Sequence, residues 1–350
     1  MAKSRTNRPT SKLELQIQSA RESPRFFFTR EAGLSCPTSD MHERSHRARQ
    51  ASNWISTLLA GLFLATTLAV TKAEAASLAA DLKRIGYEEI ELRRTGENHL
   101  FLFARVNGRR CSCLVDTGWS LTTINKNTAQ RLTMPGSVDR LKLGHVTLTN
   151  QPAVVQDLRL NGQPTAFDLV LGCDFLIRHH AIIDCAGRRL YLREEALANE
   201  PMGELEAALR GRGFVASEMK RHDPLALTCA AQLNGRSVEL LVDTGAMWSC
   251  LDTETARELE LRIDPSANQI TGVAAAGKRG FGVTRVERLE IGGWKRASVT
   301  LAVLALADWG LGPNGKLLNG VGGILGGDEF LTNAAVIDCG QLKLWLRGRK

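Results

Sequence analysis

Aromatic residues are scarce in this 350-residue chain, at 5%. The apolar share of 43% is carried mostly by Leu, Val, Ala and Ile, enough for a packed core without large rings. No CxxC pair with a second matching pair occurs, so a structural zinc site is not expected. A one-sided charge is also missing once its location is considered. Of the formal net charge of +8, residues 1–75 hold +5, from 11 Lys and Arg against 6 Asp and Glu. The +3 that remains is too weak to imply a nucleic-acid partner, and no basic stripe interleaved with aromatics accompanies it.

The basicity belongs to an N-terminal leader. Arg44, Arg47 and Arg49 precede an apolar run from Trp54 to Val70, and Ala73-Glu74-Ala75 follows. A basic stretch, an apolar stretch and a small-x-small site are the three parts of a secretory signal peptide. The expectation is export to the periplasm or beyond, with a mature start at Ala76 or a close neighbour. The alternative is an uncleaved N-terminal membrane anchor. Both readings put the C-terminal part outside the cytoplasm, because positive flanks stay inside. Met41, just ahead of the basic stretch, is the expected translation start. Of eight cysteines, Cys36 lies in the leader, leaving seven, an odd number that cannot all pair within one chain. Cys111 and Cys113 share a strand face, and small buried hydrophobes are the favoured role for most of the seven.

What is present in abundance is repetition. Leu82, Gly86, Asn107, Gly108, Arg109, Val115, Asp116, Thr117, Gly118, Thr128, Ala129 and Leu132 recur 127 residues later, from Leu209 to Leu259. The offset grows to 148 at Val138-Asp139-Arg140-Leu141 against Val286-Glu287-Arg288-Leu289. It reaches 154 at Leu171-Gly172-Cys173-Asp174 against Leu325-Gly326-Gly327-Asp328, and again at Ile183-Asp184-Cys185 against Ile337-Asp338-Cys339. The second copy is thus longer by 21 and then 6 residues. The copies span 76–196 and 205–350, with 197–204 as the linker between them.

Within each copy an apolar run meets Asn-Gly and then a second run ending in Leu-Val-Asp-Thr-Gly. Asn-Gly between β-prone runs predicts a tight hairpin, since both turn positions need positive φ. Asp252 to Leu261 has acidic residues at its start and helical spacing, which predicts a short helix. Leu190–Leu192 and Leu342–Leu346 predict a closing strand for each copy. With 32 Gly and 10 Pro, the chain reads as mainly β with one or two short helices per copy.

Two Asp-Thr-Gly loops in matching positions, each followed at a distance by two apolar residues and Gly (Val170-Leu171-Gly172 and Ile324-Leu325-Gly326), carry the chemistry. Two carboxylates held close together cannot both ionise comfortably, so they share a proton and offer an acid and a base at once. Gly118 and Gly245 let backbone amides approach those carboxylates. This combination resembles the retropepsin-like and pepsin-like aspartic peptidases over roughly residues 80–193 and 205–347. The resemblance implies two tandem retropepsin-like β-barrel lobes forming a pepsin-like bilobal pseudo-dimer, with Leu171-Gly172 to Leu176 opening a C-terminal helix of the first lobe. It implies Asp116 and Asp243 as the catalytic dyad, with Thr117, Gly118, Thr244 and Gly245 knitting the two loops together. It further implies that the Gly-rich insertion of the second copy, with Gly272, Ala275, Ala276 and Gly277 at its tip, is a flap over bound peptide.

The expected activity is that of an aspartic endopeptidase needing no metal or other cofactor, acting as a monomer on a peptide or protein substrate. The rival is a peptide-binding module of the same fold with weak or no turnover. The absent first flap favours it, as does Trp119, which stands where a small or hydroxyl residue usually follows the loop. Asp184 and Asp338 are expected to be turn residues, and His179-His180 a solvated turn. Gly326-Gly327-Asp328-Glu329-Phe330 spells the diguanylate cyclase signature, but without the α/β domain that signature needs, and is read as coincidence.

Overall fold

Asn107 and Gly108 adopt positive φ, 48° and 83°, and Asn234 and Gly235 do the same at 51° and 85°. That geometry suits the two-residue hairpin turn, whose twist matches the strands it joins. Accordingly Val106 pairs with Arg109 between the strands Leu100–Val106 and Arg109–Val115. Leu233 pairs with Arg236 between Ala226–Leu233 and Arg236–Val242. The computed structural model describes residues 78–134, 136–160, 163–193, 203–222, 226–270, 279–309 and 320–348, all within one compact unit. The signal segment, Met41, Ala76 and Cys36 lie outside the described residues. Among the described residues no helix is long and apolar enough to cross a membrane.

The two copies build matching elements in the same order. After the hairpin come a short strand and helix: Thr123–Asn125 with Lys126–Leu132, and Cys250–Asp252 with Thr253–Glu258. The helix starts are set by side chains, Asn125 accepting from Asn127 N and Asp252 from Glu254 N. A strand then runs parallel to the second hairpin arm, Leu169–Leu171 beside Arg109–Val115 and Val321–Leu325 beside Arg236–Val242. A one-and-a-half-turn helix follows each, Cys173–Arg178 and Gly327–Thr332.

The ends of both copies merge. Tyr87–Glu91, Arg189–Arg193, Ile182–Asp184, Val336–Asp338, Lys343–Leu346 and Val215–His222 lie side by side in one antiparallel run of six strands, three from each copy. At its centre Ile183 pairs with Ile337, its own counterpart in the repeat, as a local two-fold relation demands. The four inner strands are buried on both faces. Ile183, Leu190, Leu192, Ile337, Leu344 and Leu346 face the main core, while Ile182, Tyr191, Val336 and Trp345 alternate to the other side. There they meet two short helices, residues 78–84 and Gly203–Gly211, through Leu78 and Leu82 and their counterparts Leu205 and Leu209. Apolar residues four apart fall on one helix face, which is why each helix can lie flat on the sheet. Full burial of Leu82 and Leu209 stabilises by about 1.5–3 kcal/mol each.

The copies differ where the second is longer. Its insertion forms a hairpin, Asp264–Ile270 against Arg279–Ile291, whose second arm continues onto Trp294–Leu304. Ala302, Val303 and Leu304 are buried, whereas Val154 and Val155 on the corresponding short strand of the first copy stay 40% and 43% exposed. That strand is the outer edge of the first sheet. His179 departs from the expected solvated turn. The helix Cys173–Arg178 ends against the strand Val146–Pro152, so the ring is partly buried, stacks 4.4 Å from Phe175 and meets Gln151 Oε1 at 2.8 Å. Burial holds it at a pKa of about 4. Asp184 accepts from Gly187 N, and Asp338 from Gly340 N and Gln341 N, closing tight turns.

Candidate active site

Each Asp-Thr-Gly loop leaves the end of a hairpin arm and is gripped from behind by the parallel strand. Asp116 N donates to Leu171 O at 3.1 Å, and Asp243 N to Leu325 O at 3.0 Å. The glycine that follows that strand is required by the crossing. A Cβ on Gly172 would stand 2.7 Å from Trp119 O, and one on Gly326 2.8 Å from Trp248 O. The apolar-apolar-Gly signal is therefore the footprint of one backbone passing under another. Asp174 and Asp328, on the helices just beyond, tie the loops down further. The Asp174 carboxylate accepts from Thr122 N and Oγ1 at 2.6 and 2.8 Å, and Asp328 from Ser249 N and Oγ at 2.8 and 2.7 Å. These four residues went unassigned in the sequence reading, although the repeat signals them: Asp174 and Asp328 match directly, and Thr122 meets Ser249 with the hydroxyl kept.

The loops of the two copies interlock. Thr117 Oγ1 donates to Val242 O at 2.7 Å and accepts from Thr244 N at 3.0 Å. Thr244 Oγ1 donates to Val115 O at 2.8 Å and accepts from Thr117 N at 3.1 Å. All four bonds are buried. The result is that each loop's glycine faces the other loop's carboxyl. A Cβ added at Gly118 would overlap the Asp243 carboxyl, and one at Gly245 the Asp116 carboxyl. Gly118→Ala and Gly245→Ala are each expected to lower unfolding stability by about 1–3 kcal/mol, as overpacking does. Gly96→Ala, with open space around it, is expected to be near neutral. Equal stability of all three in urea unfolding would mean that the loops do not abut.

Asp116 and Asp243 are both buried and hydrogen-bond to one another. Each also bends back on its own loop, Gly118 N donating to Asp116 at 2.9 Å and Gly245 N and Ala246 N to Asp243 at 2.8 and 3.1 Å. Burial raises both carboxyls above the ordinary carboxylate range, Asp116 well above it. The Asp243 charge and the mutual hydrogen bond add to the rise at Asp116. Asp243 is held lower by backbone N–H groups, by the bond from Asp116 and by His99. Two buried carboxyls raised in this way are suited to holding one proton between them. His99, whose ring hydrogen-bonds the Gly245 backbone, is a neighbour the sequence reading missed.

Trp119 turns away into its own copy. Its indole donates to Thr123 Oγ1 at 2.8 Å and the ring packs against the cluster of Leu114, Leu158 and Val170. In the second copy Trp248 meets Phe281, on the inserted hairpin, with ring centroids 5.7 Å apart. The second hairpin arm is thus tied to the stretch just after the second loop, while Gly272, Ala275, Ala276 and Gly277 lie outside the described residues. Glu329 of the cyclase-like string is buried and paired with Arg296 and Asn333, a structural use of that residue. The seven cysteines from Cys111 to Cys339 are buried free thiols.

Residues 229–328 match a family model described as aspartyl protease. That stretch runs from within the hairpin arm Ala226–Leu233 to Asp328 and includes Asp243, Thr244 and Gly245. No curated protein matches the sequence. Among solved structures the chain is similar to a retropepsin-like aspartic protease from Rickettsia conorii, at 18% identity over 38% of this chain and 88% of that one, with a TM-score of 0.26. It is similar to Basic 7S globulin from soybean at 11% identity, over 75% and 95% of the two chains, with a TM-score of 0.40. It is also similar to an aspartic proteinase from Irpex lacteus at 13% identity, over 76% and 98%, with a TM-score of 0.44. Residues 229–328 of this chain are thus similar to the aspartyl protease family.

Proposed function

We propose that this protein is an aspartic endopeptidase whose single active site is made by Asp116 and Asp243, one from each copy. The observation that carries the reading is the reciprocal apposition of the loops, each glycine against the opposite carboxyl. Protonated Asp116 donates to the scissile carbonyl oxygen while ionised Asp243 takes a proton from the attacking water. The tetrahedral intermediate then collapses as a proton passes from the dyad to the leaving amine. Such proton sharing is the known behaviour of aspartic protease dyads. The inserted hairpin is assigned as the flap, because its second arm is anchored beside the second loop by the contact of Phe281 with Trp248. A closing flap excludes water and orients peptide. The leader is assigned to export, which puts the substrate outside the cytoplasm.

The non-catalytic rival loses one of its reasons, since Trp119 packs into its own copy rather than against the partner loop. Digestion of a peptide library by the folded protein is expected to give cleavage that a statine-type mimic of the tetrahedral intermediate inhibits. No cleavage anywhere between about pH 3 and 8, the span over which a shared-proton dyad can hold one proton, overturns the proposal.

A further inference from the structure

We propose that the outer face of the first copy's hairpin, a row of unpaired cations beside exposed Phe103, is a docking surface for an anionic lipid bilayer. The proposal is independent of the peptidase reading, and its test needs no turnover.

The face is built by strand register. Arg105, on the strand Leu100–Val106, stands directly opposite Arg110 on one side and opposite Lys142, on the strand Ser137–Leu143, on the other. All three are exposed. Residues directly opposite one another on neighbouring strands present their side chains to the same face, so the cations form one row across three strands. Phe103, two residues along from Arg105, shares that face and is 40% exposed. Guanidiniums lie over its ring, with Arg110 Cζ 3.9 Å and Arg93 Cζ 5.1 Å from the centroid. Phe101 meets it edge-on at 5.8 Å. Among the described residues, none of Arg93, Arg105, Arg110 and Lys142 pairs with a carboxylate. Asp168, which reaches this face at Ser112, is already engaged by Thr128 and Arg131.

Like charges directly opposite one another in a sheet are destabilising. The second copy shows that the fold does not need them. At the matching positions it carries Gln232 for Arg105, Ser237 for Arg110, Glu290 for Lys142 and Ala230 for Phe103. The register is the same, Gln232 standing opposite both Ser237 and Glu290. Lys220, in the place of Arg93, pairs with Glu239 at 3.4 Å, where the first copy has Ser112. One backbone thus carries a neutralised face in one copy and a cationic, aromatic face in the other. The charges of the first copy therefore serve something outside the sheet.

A bilayer with anionic headgroups fits this surface on two counts. Each Lys or Arg held near such a bilayer adds attraction, and an exposed aromatic ring among cations can enter the headgroup layer. An acidic peptide would answer the cations but not the ring. The chain also comes close to a bilayer. Seven residues, 71–77, separate the apolar run ending at Val70 from Leu78. They span at most about 25 Å when fully extended, so an anchored leader keeps the folded part beside the membrane.

The test uses the chain from Ala76 onward, because the leader would itself bind lipid and the described residues form one compact unit without it. Vesicles of phosphatidylglycerol and phosphatidylcholine in equal parts are expected to sediment with the protein at low salt, and vesicles of pure phosphatidylcholine without it. Arg105→Gln and Arg110→Ser, which install the second copy's residues, are each expected to weaken this partition about 5-fold, and together about 25-fold. Phe103→Ala is expected to weaken it severalfold, by a factor that salt does not change, since its contribution is apolar. Equal binding to both kinds of vesicle, no binding to either, or binding that the arginine substitutions leave unchanged overturns the proposal. So does capture by soluble polyglutamate without binding to vesicles, which would make the face a site for an acidic polypeptide. Should a variant fail to fold, the wild type decides alone: binding undiminished in about 1 M salt, where the screening length is about 3 Å, overturns the proposal.

Discussion

Asp116→Asn and Asp243→Asn are each expected to lower kcat/KM for peptide cleavage by roughly 10³-fold or more, the range set by loss of a general acid or base. Asparagine has nearly the shape of aspartate and can still accept from Gly118 N or from Gly245 N and Ala246 N. The loops should therefore stay folded, and the loss falls on the shared proton alone. The two substitutions are expected to be equally severe because each copy supplies one carboxyl to one site. Buried bonds between Thr117 and Thr244 bring the two loops together within the chain. Mixing the two inactive variants is expected to restore nothing. If like copies paired between chains instead, each variant would keep an intact site and retain a large part of the activity. Substantial residual activity in either one, together with a dimer on sizing, would therefore reject the single-site arrangement.

Thr117→Val and Thr244→Val are expected to cost about 2–6 kcal/mol of unfolding free energy each. Valine matches threonine in shape but removes the hydroxyl. For Thr117 this leaves Val242 O and Thr244 N without their partners; for Thr244 it leaves Val115 O and Thr117 N. Each buried polar group left unpaired costs about 1–3 kcal/mol, and each substitution orphans two. Thr→Ser at the same positions keeps the hydroxyl and loses one methyl, about 1 kcal/mol or less by area. Urea unfolding of the four variants measures the difference. Valine no more costly than serine would mean that the cross-copy bonds do not hold the loops together.

Much of this arrangement is legible in the sequence because it is local or repeated. The Asn-Gly turns need only two residues of positive φ, and both form as expected. The helix after the second loop is announced by Asp252 and its own spacing, whereas the helix of the first copy at Cys173–Arg178 was implied by the family resemblance. The repeat singles out Asp116 and Asp243 as candidates, since they recur with their Thr and Gly. The same repeat also carried Asp174 with Asp328 and Thr122 with Ser249, whose anchoring role emerges only where helix and loop meet.

What the tertiary structure alone decided is how the copies meet. The pairing of Ile183 with Ile337 joins strands 154 residues apart, and no short-range pattern specifies that register. Nor does one distinguish a strand covered on both faces from one covered on a single face until the helices at residues 78–84 and Gly203–Gly211 are laid on it. Trp119 has an ambiguous address in the sequence and a definite one in the fold, because Thr123 offers its ring nitrogen an acceptor inside the same copy. His99 owes its place to the same cause. Its neighbour Gly245 lies more than a hundred positions away, and only the docking of the first copy's turn at Asn98 on the second copy's helix at Gly327 brings the two together. Turn chemistry and side-chain periodicity are written along the chain, whereas the partner of a buried polar side chain is set by whichever backbone the packing delivers to it.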